Sequence, residues 1–218
     1  LGLLLDDHWV FRGAFADCPV LLSLLADNNL NGILPSKLFY LQGLEKLDVR
    51  QNPISITFHD IDLAPELREL YIDETLVKTM NGIGRASKLE ILHAYKNSFG
   101  GQEIPDEIFD ISTLTDLNLA DSMLVGSLSG KIGKLTQLQR VTLDGNSLSG
   151  EIPTQLALIP GLKYIEMSNN EWVGPLPSTF PNSLEALFLN NNEEKTAGVT
   201  GSLAAFANMP NMKELHLS

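Results

Sequence analysis

The segment Leu138-Gln139-Arg140-Val141-Thr142-Leu143-Asp144-Gly145-Asn146-Ser147-Leu148-Ser149-Gly150-Glu151-Ile152-Pro153 decides the fold, because the chain repeats its plan. Twenty-four positions later the chain reads Leu162-Lys163-Tyr164-Ile165-Glu166-Met167-Ser168-Asn169-Asn170-Glu171-Trp172-Val173-Gly174-Pro175-Leu176-Pro177. Apolar residues recur at the same places, followed by Asn, an apolar residue, Gly and an apolar-Pro pair. A fixed period in the twenties that accounts for so many positions marks a solenoid of stacked coils. A single coil cannot bury its apolar side alone, so each one packs on the next.

The Asn of this pattern can be followed through the chain. Its place is taken by Asn28, Asn52, Thr75, Asn97, Ser122, Asn146, Asn170 and Asn192, with His8 in the corresponding place of a first, shorter segment. Ahead of each Asn, two apolar residues alternate with polar ones, the period of a strand with one buried face. Strands of successive coils then pair in parallel. An Asn amide can donate and accept at once, so Asn28, Asn52, Asn97, Asn146, Asn170 and Asn192 are expected to form a ladder on buried backbone groups of neighbouring coils. Thr75 and Ser122 supply part of that pattern. The Pro that follows fixes φ and lacks an N–H, which suits the start of a short helical turn. Such turns are expected over 107–111, 131–135 and 154–159. The coils at Asn52 and Thr75 lose the Gly-x-Ile-Pro ending, the coil at Asn97 carries an extra residue at Gly100-Gly101, and an acidic insertion follows Asn192.

Hydrophobic residues make up 44% of the 218 and charged residues 19%, which suits an ordered chain with a continuous core. The net charge of −12 disfavours a nucleic-acid or anionic-membrane partner. Cys18 is the only cysteine, so no intrachain disulfide can form; beside Pro19 it reads as a small buried residue. No apolar run reaches the ~18 residues of a membrane span, and no Asn-x-Ser/Thr sequon occurs. Leu1-Gly2-Leu3-Leu4-Leu5 is too short for a signal-peptide core and reads as a repeat strand leading to His8. Neither end shows a polar cap, so residues 1–218 read as one repeat domain of about eight full coils with partial coils at both ends, cut from a longer array.

The ending x-Leu-x-Gly-x-Ile-Pro, as in Asn146–Pro153 and in Asn28–Pro35 and Asn170–Pro177, resembles the plant-type leucine-rich repeat. Proteins with this repeat include receptor-kinase and receptor-like-protein ectodomains and polygalacturonase inhibitors. The resemblance implies an α/β fold: a right-handed solenoid with a parallel concave β-sheet, short strands beside it and short helical turns on the convex side. It also implies a non-catalytic recognition module in an extracellular or cell-surface setting.

Residues flanking the inward leucines face solvent on the concave side. Glu69, Tyr71, Asp73, Ile91, His93 and Tyr95 gather on adjacent coils, and Tyr164, Glu166 and Phe188 form a second group. Aromatic rings beside carboxylates suit a protein or peptide ligand, since aromatics supply most interface energy, and would also suit a carbohydrate. A parallel sheet favours aromatic and β-branched residues on any face, which is the structural alternative. A scaffold that assembles with other proteins is the alternative function. No nucleophile elbow or phosphate-binding glycine loop is present, so no catalytic residues and no cofactor are expected. Asp6-Asp7-His8 and Asn190–Glu194 read as solvated polar sequence rather than metal sites.

Overall fold

The computed structural model describes residues 25–192 and 198–218 in full, and the backbone of Leu3–Leu5 and His8–Val10. Cys18 and the insertion 193–197 lie outside the described residues. Eight short strands form one parallel sheet in chain order: Lys46–Asp48, Glu69–Tyr71, Ile91–His93, Asp116–Asn118, Arg140–Thr142, Tyr164–Glu166, Ala186–Phe188 and Glu214–His216. The register has no slip. Leu70 lies beside Leu92, Leu92 beside Leu117, Leu117 beside Val141, Val141 beside Ile165 and Ile165 beside Leu187. These central residues point inward and are almost wholly buried, so a slip of one residue would turn every strand's apolar side chain to water.

Three smaller parallel sheets flank the large one. They pair Gly32–Ile33 with Ile54–Ser55, Val125–Ser127 with Ser147–Gly150 and Glu171–Trp172, and Gly174–Pro175 with Val199–Thr200. The return side of most coils carries a 3-10 turn, over Ser36–Tyr40, Ile61–Leu63, Ile83–Arg85, Asp106–Asp110, Gly130–Lys134, Thr154–Leu158 and Leu203–Phe206; the coil between Tyr164–Glu166 and Ala186–Phe188 returns without one. The 107–111, 131–135 and 154–159 turns are therefore tighter than α-helix and begin at or one residue before the expected start. The preceding residue sets that start: Pro35, Pro105 and Pro153 hold φ at −62°, −63° and −62°. Where Ser129 stands in place of Pro, its hydroxyl accepts from the Lys131 amide and starts the turn by capping instead.

One expectation is corrected at the beginning of the chain. Leu3–Leu5 does not join the parallel sheet; it pairs antiparallel with His8–Val10, Leu5 opposite His8. His8 is thus a strand residue and not the first member of the Asn series. Two strands so close in sequence satisfy each other's backbone locally, without a neighbouring coil.

The Asn side chains bind the coils together. Asn146 accepts at Oδ1 from the Ser122 and Leu124 amides, both at 3.0 Å, and donates to the Leu119 and Leu143 carbonyls, both at 2.9 Å. Asn170 repeats this one coil on, with Leu148 N and Leu143 O at 3.0 Å. Asn52 accepts from Leu30 N and donates to Leu25 O, and Asn192 accepts from Asn170 N and donates to Leu189 O. Asn97 donates to Ile72 O while the Thr75 hydroxyl donates to its Oδ1, and Ser122 donates to Ala94 O and accepts from Asn97 N. Asn28 is exposed and donates to Leu25 and Ala26 carbonyls within its own turn.

Candidate ligand-binding face

Each strand of the large sheet presents outward residues in columns that run across the coils. One column aligns Lys46, Glu69, Ile91, Asp116, Arg140 and Tyr164; the next aligns Asp48, Tyr71, His93, Asn118, Thr142 and Glu166, continuing to Phe188 and His216. The first expected group is brought together. The His93 ring meets the Tyr71 ring edge-on, with centroids 5.1 Å apart. Lys46 Nζ and the Arg50 guanidinium lie 4.5 and 4.9 Å from the centre of the Tyr71 ring. Glu69 pairs with Lys46 at 3.0 Å. Arg50 grips Asp48 with two hydrogen bonds, at 2.9 and 2.8 Å, and stands 3.9 Å from Asp73.

Burial and the Glu69 carboxylate push the Tyr71 phenol up to about 12, so the ring stays neutral and can donate. Burial also raises the Asp73 carboxyl above the usual range, against the pull of the Tyr95 amide, which donates to Asp73 Oδ1 at 2.9 Å. The Tyr95 hydroxyl reaches Glu74 Oε1 at 3.3 Å, and Lys96 lies 4.9 Å from its ring centre. A small cleft of about 190 Å³ opens between Asp27, Arg50, Asp73, Glu74 and Tyr95.

The second group is also contiguous. Tyr164 and Phe188 pack at 5.4 Å, and Phe188 stacks on His216 at 4.7 Å. Arg140 covers Tyr164 at 4.2 Å. Glu166 accepts from the Ser168 amide at 3.1 Å, which fixes its carboxylate on the face. A cleft of about 240 Å³ lined by Ile91, Asp116, Arg140 and Tyr164 joins the two groups into one strip. Within it His93 Nε2 faces Asp116 Oδ1 at 3.3 Å.

The cations Lys46, Arg50 and Arg140 and the carboxylates Asp48, Asp116 and Asp144 were not singled out by aromatic content alone. They occupy the same outward columns, and that shared position is the signal by which the sequence could have shown them. Burial, with Glu166 and Asp121 nearby, raises the Asp144 carboxyl to about 6.

No family model matches the chain. It is 28% identical over 174 residues to Receptor-like protein EIX2 of Solanum lycopersicum, covering 73% of this chain and 17% of that protein. It is 32% identical over 176 residues to Receptor-like protein 18 of Arabidopsis thaliana, covering 79% and 18%. The chain thus spans less than a fifth of these relatives' length. Among solved structures, a TDR receptor superposes with a TM-score of 0.79 at 25% identity, over 88% of this chain and 33% of that one. The Arabidopsis receptor kinase HAESA, solved in complex with the peptide hormone IDA and the co-receptor SERK1, gives 0.69 at 23% identity, over 82% and 34%. A plant ice-binding protein gives 0.68 at 20% identity, over 89% and 70%, so the fold alone serves more than one task. With its repeat, its sheet and these relatives agreeing, the chain is a plant-type leucine-rich-repeat array of the kind found in receptor-like proteins.

Proposed function

We propose that this chain is a non-catalytic recognition module of an extracellular or cell-surface protein, and that its concave face binds a peptide or protein ligand. The observation that carries the reading is the strip from Tyr71 to Phe188. Half-buried aromatic rings there are held at set angles by neighbouring cations and rings, so little side-chain entropy remains to be lost on binding. Such pre-ordered aromatic anchors beside charged groups have the character of interface hot spots. Similarity to HAESA, whose solved complex contains a peptide hormone, supports a peptide as the kind of ligand.

The test uses peptides selected from a random linear library on the intact chain. Their affinities are then compared for the parent and a Tyr71→Ala/Tyr95→Ala variant. A loss of roughly tenfold or more, the size of one interface hot spot, is expected with the melting temperature little changed. Unchanged affinity would overturn the reading.

A further inference from the structure

The charge on the concave sheet face is unevenly compensated along the solenoid. In its first half each outward carboxylate has a cation of this chain close by: Lys46 for Glu69, Arg50 for Asp48 and Asp73, and Arg140 for Asp116 at 3.9 Å. Past Asp116 the pattern stops. Among the described residues, neither Asp144 nor Glu166 forms an ion pair with a Lys or Arg of this chain. The position that Arg50 holds in its coil is taken by Asp144 and Ser168 in these later coils.

The carboxylates here are nonetheless placed rather than trailing in solvent. The Ser168 amide holds Glu166 Oε1. Gly145 leaves room for Asp121 beside Asp144: a Cβ at Gly145 would fall 2.0 Å from Asp121 Oδ1. The rings of Tyr164 and Phe188 adjoin. The first half shows what this combination holds, since Arg50 lies between two carboxylates and the face of Tyr71.

We propose that the partner of this face is a basic peptide segment, and that one of its Lys or Arg side chains docks against Asp144 and Glu166 beside Tyr164 and Phe188. The inference rests on the concave-face reading and adds the chemistry of the ligand and its placement along the array. Complementary charge of this kind orients a ligand and speeds its capture as well as holding it. The raised Asp144 carboxyl fits the same picture, because burial and two neighbouring carboxylates disfavour its charge and a docked cation would relieve that cost. A divalent ion is the competing occupant, yet among the described residues no three His, Cys, Asp or Glu side chains converge to hold one.

The experiment takes the intact chain and a random linear peptide library, sequences the selected peptides and measures each one on two variants. Asp144→Asn/Glu166→Gln removes the charge and leaves the shape; Tyr71→Ala/Phe188→Ala removes rings from both groups. Lys and Arg should be enriched in the selected peptides, the charge variant should weaken them roughly tenfold, and added salt should weaken binding to the parent. Selected peptides without basic enrichment, bound equally by the charge variant but lost by the ring variant, would overturn the basic partner and leave the concave face standing. Peptides indifferent to both variants would overturn both. Calcium titrated alone into the parent would overturn the peptide assignment if it bound and the charge variant did not.

Discussion

Replacing Asn146 by Ala tests how the coils are joined. The side chain makes bonds to two backbone amides and to the carbonyls of Leu119, Leu143 and Asp144. Not all of these groups would be stranded by its loss. The Leu143 carbonyl keeps the Asn170 amide at 3.0 Å, and the Asp144 carbonyl keeps the Asp121 amide at 2.9 Å. The amides of Ser122 and Leu124 and the carbonyl of Leu119 have Asn146 as their partner, and all belong to the preceding coil. At about 1 kcal/mol for each buried group left unpaired, the low end of the usual range because water can enter the space, the cost is about 3 kcal/mol. With a urea slope of about 3 kcal/mol per molar, the denaturation midpoint should fall by about 1 M. Asn146→Ser should fall between the two, because Ser122 shows that a hydroxyl in this slot can both donate to a carbonyl and accept from an amide. A midpoint unchanged in Asn146→Ala would refute the view that the Asn series holds neighbouring coils in register.

Asp144 and Trp172 each give a further outcome. Asp144 has a carboxyl raised to about 6 in the folded chain, above its unfolded value of about 3.9, so the native state binds more protons between those values. Stability attributable to this group therefore falls as pH rises from about 4 to about 6, and the full penalty applies at neutral pH. Asp144→Asn should stabilise the fold at pH 7 by about 1 kcal/mol, once solvent screening of the half-exposed group is allowed for, and so raise the melting temperature there while leaving it unchanged near pH 4; equal effects at both pH values would contradict this. Trp172 is wholly buried and donates from its indole to Met167 O at 3.1 Å. Trp172→Ala should cost about 3–5 kcal/mol, mainly through the cavity, since Met167 O keeps the Asn170 and Asn192 amides. A urea midpoint within error of the parent would show that the coil collapses around the gap.

The outward columns were legible in the sequence because two simple periods determine them. Alternation within a strand sets which side faces out, and the spacing between Asn slots sets which residues lie side by side. Tyr71 therefore had to neighbour His93, and Glu166 had to neighbour Phe188. The cations were harder to place, because long side chains reach diagonally: Arg50 lies on the Tyr71 ring from a different column and an adjacent coil. The uneven compensation of carboxylates was invisible for the same reason. It depends on where Lys and Arg head groups settle, which column positions alone do not determine. Leu3–Leu5 departs from the expected repeat strand because a short apolar alternation fits a hairpin as well as a repeat, and pairing partners decide between them. The turn at Ser129 needed the capping bond to be understood, since the pattern called for Pro.

The concave-face assignment is tested most directly by mapping the backbone amide shifts of the isotope-labelled chain on addition of a peptide selected on it. The changes should centre on Tyr71, His93, Tyr164, Glu166 and Phe188, across the strands of the large sheet. The amides of the opposite side, over Ser36–Tyr40, Asp106–Asp110 and Thr154–Leu158, should stay unchanged. Changes concentrated on those 3-10 turns, with the outward columns silent, would contradict it.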